Sequence, residues 1–486
     1  PIKYLIIFLI PIALGLFLLL KDDQQIDIKY VLFLSIWFAG TIYASTNGTR
    51  FVLLLVPAYA IAVGISLGTF QSILSNLVSK EFNINKKIVS GVVVVLLLLL
   101  LINPIKAADR TAKGEIPSMN DGWYTSLTKI KNNSSENAII TSWWDFGHWF
   151  KAIADRPVTF DGGTQNRPQA HWVGKILLTA DEEQAIGILR MLDCGANNAF
   201  DETNKKYDDT EDSVDVVYEI IAMEKEEAKT YLLAQEFSEN ETDTILSYTH
   251  CEPPEAFFIT SGDMVGKAGV WAHFGSWDFD KSYIYNNIKH VKQQEAVKIL
   301  TKKFNFTEEQ ASGYYYEVQS LTSDQLVNNW VAPWPNYMTP GWRGCSNTSE
   351  IATCNIGMGI GQSNLGQTVT ISQAIINLSN PADTKFILAF IDPNTGLPAA
   401  QQEAKPMNVV IADETLTKYD VGGEDMLMDL VYDKVANRAL LTDPALSQST
   451  FTKLFYLDGR YTEHFERFSD LTDVVGSRII VWKVKW

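Results

Sequence analysis

The sequence predicts a helical membrane part, followed by an extracytoplasmic mixed α/β domain and a C-terminal β-rich module. Three observations lead there. Four apolar runs fill residues 1–103, the net charge changes from +3 in that stretch to −20 in residues 104–486, and beyond about residue 366 short apolar runs with period-two alternation take over. With 486 residues, 46% hydrophobic and including 13 Trp, the chain holds enough apolar material for two or more cores, and a disordered chain is excluded. A net charge of −17 opposes a grip on a phosphate backbone, so no nucleic-acid partner is expected.

The apolar runs are Tyr4–Leu20, Ile28–Ala44, Phe51–Thr69 and Ile88–Ile102, each close to the ~20 residues that cross a bilayer as a helix. Pro57 inside the third is compatible with a membrane helix, where neighbours re-satisfy the freed carbonyl. The segments Lys21–Lys29 and Lys80–Lys87 hold five lysines between them, whereas Arg50 is the basic residue between runs two and three. The positive-inside tendency then puts the lysine segments in the cytoplasm, Arg50 at the outer mouth of run three, and everything after Pro104 outside the cell. An arginine at that depth is either a functional group or an interfacial side chain reaching for water. The chain opens with Pro1 directly into an apolar run, without the charged start and small-residue cleavage site of a secretory signal, and reads as the C-terminal portion of a longer membrane protein.

The central domain is placed at residues 104–366. In it, Ala138–Ser142, Pro157–Phe160 and Ala256–Thr260 are β-rich, and each is followed at once by a polar or glycine-bearing stretch: WWDFGHW, DGGTQNRPQ and SGDMVGK. Strand ends of an α/β sheet gather into one crevice, so the three stretches are expected in one site. Between them, S/T-x-x-E/Q patterns at Thr179 and Glu182, Thr307 and Gln310, and Thr322 and Gln325 read as capping boxes. Val214, Val217, Ile221, Ala228 and Leu232 keep helical spacing within an acidic stretch, about 201–245, read as a solvated helical insertion. The β-rich module, 367–486, rests on the runs Val369–Ile376, Phe386–Ile391, Val409–Ala412, Leu454–Leu457 and Ile479–Trp486. The four cysteines, Cys194, Cys251, Cys345 and Cys354, lie on the expected oxidising side without metal-ligand spacing, and three pairings are open to them. Seven N-x-S/T sequons permit surface glycosylation.

Trp143-Trp144-Asp145-Phe146-Gly147 is the most informative stretch. Two indoles beside one carboxylate make a polar notch with apolar walls: the indole N–H groups donate, the carboxylate accepts, and a hydroxyl group suits both. WWDFG resembles the WWDYG signature of the catalytic oligosaccharyltransferase subunit, and TSWWDFGHW is similar to its archaeal, AglB-type members. The resemblance runs along the whole chain, and implies that residues 1–103 are the last four helices of a GT-C-like membrane domain. It also implies that Trp143, Trp144 and Asp145 hydrogen-bond the Ser or Thr at position +2 of the acceptor sequon Asn-x-Ser/Thr, with Phe146 standing where the family has Tyr. Asp263 and Lys267 resemble the family's DK motif, at D-x-x-x-K rather than D-x-x-K spacing, with the Lys beside the same pocket. His148 and Trp149 extend the signature as residues that line the site, and Arg50, followed by FVLLLVP, resembles the arginine that pairs with the pyrophosphate of the lipid-linked oligosaccharide.

The implied activity is transfer of an oligosaccharide from a dolichyl phosphate or pyrophosphate to asparagine. The implied partners are an acceptor polypeptide, the dolichyl-linked oligosaccharide and membrane lipid. The implied cofactor is Mg²⁺ or Mn²⁺, held by acidic residues of earlier external loops; no such motif is identifiable here, so no catalytic residue and no metal ligand is assigned within this chain, and both are expected upstream of Pro1. Two other readings fit the residues: a membrane-tethered extracellular glycan-binding receptor without catalysis, and a GT-C sugar transferase acting on another acceptor.

Overall fold

The computed structural model describes residues 28–115, 119–348, 350–363, 366–424, 426–473 and 476–486. The run Tyr4–Leu20 and Lys21 lie outside the described residues. The chain divides into two compact units, the first through residue 118 and the second from Met119 onward.

In the first unit, the helix Ile28–Asn47 leads through a short turn, Thr49–Phe51, into Val52–Phe82, and then into Lys86–Leu100 and Ile102–Gly114. Two stretches, Thr49–Phe82 and Lys86–Gly114, are long and apolar enough to cross a membrane, and Leu32–Thr46 is a shorter apolar helix. The third apolar run was expected to end at Thr69, but its helix continues to Phe82, where Asn83 turns left-handed at φ 54°. Its 31 residues make it about 46 Å long, beyond the ~30 Å of a bilayer core, so the polar last turns carrying Lys80 stay helical although hydropathy had ended the run. The expected boundary at residue 103 also moves: Pro104 falls in the first turn of Ile102–Gly114, where its missing N–H costs nothing, so the helix passes through it. Arg50 sits exposed in the turn between two helices, and among the described residues no acidic group pairs with it.

The second unit is built on two sheets. The strands in chain order are β1 (Ile139–Thr141), β2 (Ala256–Ser261), β3 (Arg343–Asn347), β4 (Ile351–Gln362), β5 (Thr368–Asn377), β6 (Lys385–Ile391), β7 (Pro398–Ala404), β8 (Asn408–Ala412), β9 (Leu416–Asp420), β10 (Asp429–Asp433), β11 (Arg438–Thr442), β12 (Phe465–Thr472) and β13 (Arg478–Val484). One sheet runs β1-β2-β13-β12, the other β7-β6-β5-β4-β3-β11-β10-β8-β9. β1 and β2 are parallel, with Thr141 opposite Phe258, and β13 lies antiparallel to β2, with Trp482 also opposite Phe258.

The first sheet is buried on both faces. Phe257, Ile259, Ile479 and Val481 face the helix Asp121–Asn133 through Trp123, Leu127 and Ile130, while Phe258, Ile480, Trp482 and Val484 join the larger core on the other side. This is the two-residue period expected of β13, with both faces covered rather than one.

The larger core also receives the acidic insertion. Its helices Asn198–Tyr207, Thr210–Ile221, Lys225–Ala234 and Glu239–Thr249 bury Val214, Val217, Ile221, Ala228 and Leu232, the residues whose spacing predicted helix. The Cys194–Cys251 disulfide ties the two ends of this segment, and Cys345–Cys354 joins β3 to β4 at directly opposed positions.

Several local expectations are corrected. Pro157–Phe160 is not a strand; Val158 makes a single bridge to Ile140. Leu454–Leu457 belongs to a helical turn, Thr452–Tyr456, buried on most of its surface. The capping box at Thr307 and Gln310 forms, but Asp181 rather than Thr179 caps Glu182–Gly195, and Ser323 rather than Thr322 caps Asp324–Val331. In both cases a stronger or better placed acceptor lies one or two residues further on. The strand-rich part also begins before residue 367, at Arg343, and its last two strands complete the central sheet instead of the C-terminal one.

Candidate functional site

Because β1 and β2 are parallel, the loops that leave their carboxyl ends emerge on the same edge of the sheet. The first loop is Ser142 to His148, the second Gly262 to Lys267. Ser142 Oγ donates to the Ile259 carbonyl at 2.8 Å, fixing the first loop to β2 as it leaves β1. The second loop is pinned from beyond it, where Trp271 Nε1 donates to the Met264 carbonyl at 2.9 Å, and Ser261 Oγ donates to Asp263 Oδ1 at 2.5 Å.

Asp145, Asp263 and Lys267 come together as the sequence pattern predicts. Lys267 Nζ lies 2.8 Å from Asp145 Oδ1 and 3.0 Å from Asp263 Oδ2, with the Phe146 ring centre 5.1 Å away. Burial alone would lower the ammonium's pKa, but the hydrogen bond that Lys267 donates to Asp145 and the charge of Asp263 outweigh it and hold Lys267 above its ordinary value. The extra residue in the D-x-x-x-K spacing is no obstacle, since Asp263 and Lys267 still meet as an i,i+4 pair. The second oxygen of Asp145 is different: Oδ2 is buried and has no hydrogen-bond partner among the described residues. An orphaned carboxylate oxygen is costly, and a ligand that donates to it removes that cost.

Replacing Lys267 by methionine removes the cation from between two part-buried carboxylates, and is expected to destabilise the unit by about 1–3 kcal/mol in urea unfolding. Arginine at the same position should recover most of that stability; no recovery would show that the ion pairs contribute little.

The two indoles part company. Trp143 is 2% exposed and packs against the rings of Phe160 at 5.3 Å and Phe274 at 6.1 Å, so it belongs to the core and does not stand free at a rim. Its neighbour Trp144, the first residue of the tight turn Trp144–Phe146, is packed against the same core but only partly buried, and so keeps some open surface. Phe146 stacks on Trp149 at 4.5 Å and lies 4.6 Å from Trp123, giving its ring a packing role that needs no phenol oxygen.

The third stretch, after Phe160, backs the first. Asp161 is 4% exposed, ion-pairs with Lys151, and accepts from the Gly163 N–H at 2.8 Å. His148 is 66% exposed at its side chain, with Nδ1 3.7 Å from Asp161. The loops meet at Gly147, where a Cβ would lie 2.5 Å from the Phe160 carbonyl oxygen and 2.7 Å from Asp161 Cα. Gly147 and the Lys151–Asp161 pair are the residues that the sequence reading missed; their signals were the fifth letter of WWDFG and the DGG stretch already noted.

The hydrogen bond from Lys151 holds the Asp161 carboxyl below its usual 3.8, with burial opposing it. A depressed carboxylate stabilises the fold fully above that usual value, and the contribution disappears as pH falls through the lower, folded value. An Asp161→Asn variant is therefore expected to lose stability at neutral pH and to show a flatter acid limb in Tm against pH; an unchanged limb would contradict the pairing.

Acidic residues that could gather round a cation are Asp209, Glu211 and Asp212, or Glu211, Asp215 and Asp280. Lys303 Nζ already lies 2.6 Å from both Glu211 and Asp212, and none of these residues belongs to the loops of the site. A cleft of about 650 Å³ lined by Leu388, Glu403, Lys405, Gly423, Met426 and Met428 likewise shares no residue with those loops.

Residues 136–281 match the family described as the STT3/PglB/AglB core domain, and residues 4–108 match oligosaccharyl transferase STT3, N-terminal; together they take in just over half of the chain. The chain is 31% identical over 325 residues to a dolichyl-phosphooligosaccharide-protein glycotransferase of Methanococcus voltae, covering 53% of this chain and 35% of that protein. It is 29% identical over 339 residues to the protein of the same name from Methanocaldococcus jannaschii, covering 56% and 36%. The chain thus spans about a third of the length of these relatives. A solved structure, the C-terminal domain of C. jejuni PglB, overlays 75% of this chain and all of its own at a TM-score of 0.31 and 10% identity, which is too distant to bear on the site.

Proposed function

Because the chain belongs to the STT3/PglB/AglB family, we propose that it forms part of an oligosaccharyltransferase, a glycosyltransferase that moves an oligosaccharide from a dolichyl phosphate or pyrophosphate to the asparagine of Asn-x-Ser/Thr sequons. In this reading the chain supplies acceptor recognition. The observation that carries it is Asp145, with Oδ1 held by Lys267 and Oδ2 buried without a partner. The Ser or Thr hydroxyl at position +2 donates to Oδ2, Trp144 closes the open side, and Trp143 backs the pocket from the core. Lys267 and Asp263 hold the carboxylate in place, and His148, exposed beside Asp161, lines the approach. An acceptor without the hydroxyl leaves the buried oxygen unpaired, which discriminates far more strongly than an apolar pocket telling one methylene from another.

Arg50 is assigned to the lipid phosphate on the same reading: it is an exposed guanidinium in the turn between two apolar helices, suited to bidentate contact with a phosphate. The lysine segments support, by the positive-inside tendency, an orientation in which Arg50 and the residues after Pro104 lie outside the cytoplasm of a multi-pass cell-membrane protein in contact with lipid. The metal of the reaction, Mg²⁺ or Mn²⁺, would act as a Lewis acid at the phosphate. Among the described residues, Lys303 already pairs with Asp209, Glu211 and Asp212, and neither acidic group belongs to the loops of the site, which supports a metal held by other parts of the full-length protein; no step here passes through it.

The test is glycan transfer by the full-length protein from a dolichyl-linked donor to matched peptides. Transfer to Asn-x-Thr with little or none to Asn-x-Val supports the reading. Equal transfer to both, or glycan binding with no transfer, overturns it.

A further inference from the structure

This inference rests on the reading that Asp145 and Lys267 hold the hydroxyl side chain of an acceptor polypeptide. Directly after Lys267 comes the helix Ala268–Gly275, which buries Ala268, Trp271 and Ala272 and turns Val270 and Phe274 outward, 41% and 36% exposed. Lys267, Val270 and Phe274 follow one another at helical spacing on one face, and Phe274 lies against Trp143 at the back of the pocket.

Beside this face runs the segment 332–336. Its Trp334, between Pro333 and Pro335, is 46% exposed while one side of its ring is stacked on His273 at 3.8 Å and 11°. The segment is seated firmly: His273 Nδ1 meets the Ala332 carbonyl at 2.7 Å, and Asn336 accepts from the Gly269 N–H at 2.8 Å. A Cβ at Gly269 would come within 2.6 Å of Asn336, so the helix carries glycine where the segment crosses it. The result is a rigidly framed indole with its outer side open, continuous through His273 and Phe274 with the candidate pocket.

We propose that Val270, Phe274 and Trp334 form a second acceptor subsite, which takes an apolar or aromatic side chain from the residues that follow the hydroxyl-bearing one. The occupant follows from reach and chemistry. Lys267 and His273 are six helical residues apart, roughly 9 Å, a distance that an extended polypeptide covers in about three residues. A polypeptide whose hydroxyl sits on Asp145 therefore passes along this strip if it leaves the pocket in that direction. Val270, Phe274 and Trp334 bring no charge, so the strip suits an apolar or aromatic side chain, and the occupant we commit to is the acceptor segment beyond the hydroxyl.

The experiment measures the affinity of the detergent-solubilised chain for four peptides by calorimetry. Asn-x-Thr and Asn-x-Val are each followed either by glycines alone or by glycines with phenylalanine three residues after the Thr or Val. The chain is expected to bind the phenylalanine peptides about five-fold more tightly than the glycine ones, a gain typical of one aromatic contact. Trp334→Ala should bring that ratio close to one while the preference for Thr over Val persists, and Val270→Ser should lower it in the same direction. A ratio near one in the unaltered chain, or a ratio that survives both substitutions, overturns the subsite. A missing Thr-over-Val preference in the unaltered chain overturns the hydroxyl reading instead, so the two failures are distinct.

Discussion

Gly147→Ala is expected to unfold or distort the site more than any other single methyl group added to it. The new Cβ would stand 2.5 Å from both the Phe160 carbonyl oxygen and Asp161 Cβ, and 2.7 Å from Asp161 Cα. Two of these three atoms are backbone, so no side-chain rotation relieves the contact and the two loops must separate. Overpacking of this kind costs about 1–3 kcal/mol and sometimes more. Thermal unfolding of the variant should show a Tm several degrees lower, and binding of Asn-x-Thr peptides should be lost with it because Asp145 is carried on the displaced turn. A Tm and an affinity both equal to those of the unaltered chain would mean that the loops do not meet as described.

Asp145→Ala is expected to act on recognition more than on stability. It removes the orphaned Oδ2 and the Lys267 partner together, and Lys267 retains Asp263 at 3.0 Å, so the ammonium is not left alone. The fold should survive with a modest loss of Tm. Affinity for Asn-x-Thr should fall by about 10–100-fold, the weight of a hydrogen bond to a charged group, and should equal the affinity for Asn-x-Val. A variant that still prefers Thr would place the hydroxyl contact on another residue.

Much of this arrangement was legible because it is local or periodic. The buried residues of the acidic insertion, from Val214 to Leu232, could be read from a 3.6-residue period, and the parallel strands β1 and β2 from β-rich runs that end in polar loops. The meeting of Asp145 with Lys267 was reached through resemblance and through the expectation that strand ends share a crevice.

What escaped the sequence depends on contacts between distant segments. That β13 pairs with β2 on one side, besides its neighbour β12 on the other, is decided across more than 200 residues, and no local pattern carries it. Gly147 is needed because Phe160 and Asp161 approach it, which spacing cannot show. The unequal burial of Trp143 and Trp144 goes with a turn that starts between them, so two identical adjacent side chains on one core differ in how much surface they keep. The caps at Asp181 and Ser323 won over the expected threonines because side-chain geometry at the helix start, not the four-residue pattern, decides which oxygen reaches the free N–H groups.

The most direct measurement is the affinity of the unaltered chain for two peptides that differ by one atom group, Asn-x-Thr and its isostere Asn-x-Val, by titration calorimetry at neutral pH. If Asp145 Oδ2 is there to receive a hydroxyl, the threonine peptide binds about 10–100-fold more tightly. Equal affinities would contradict it.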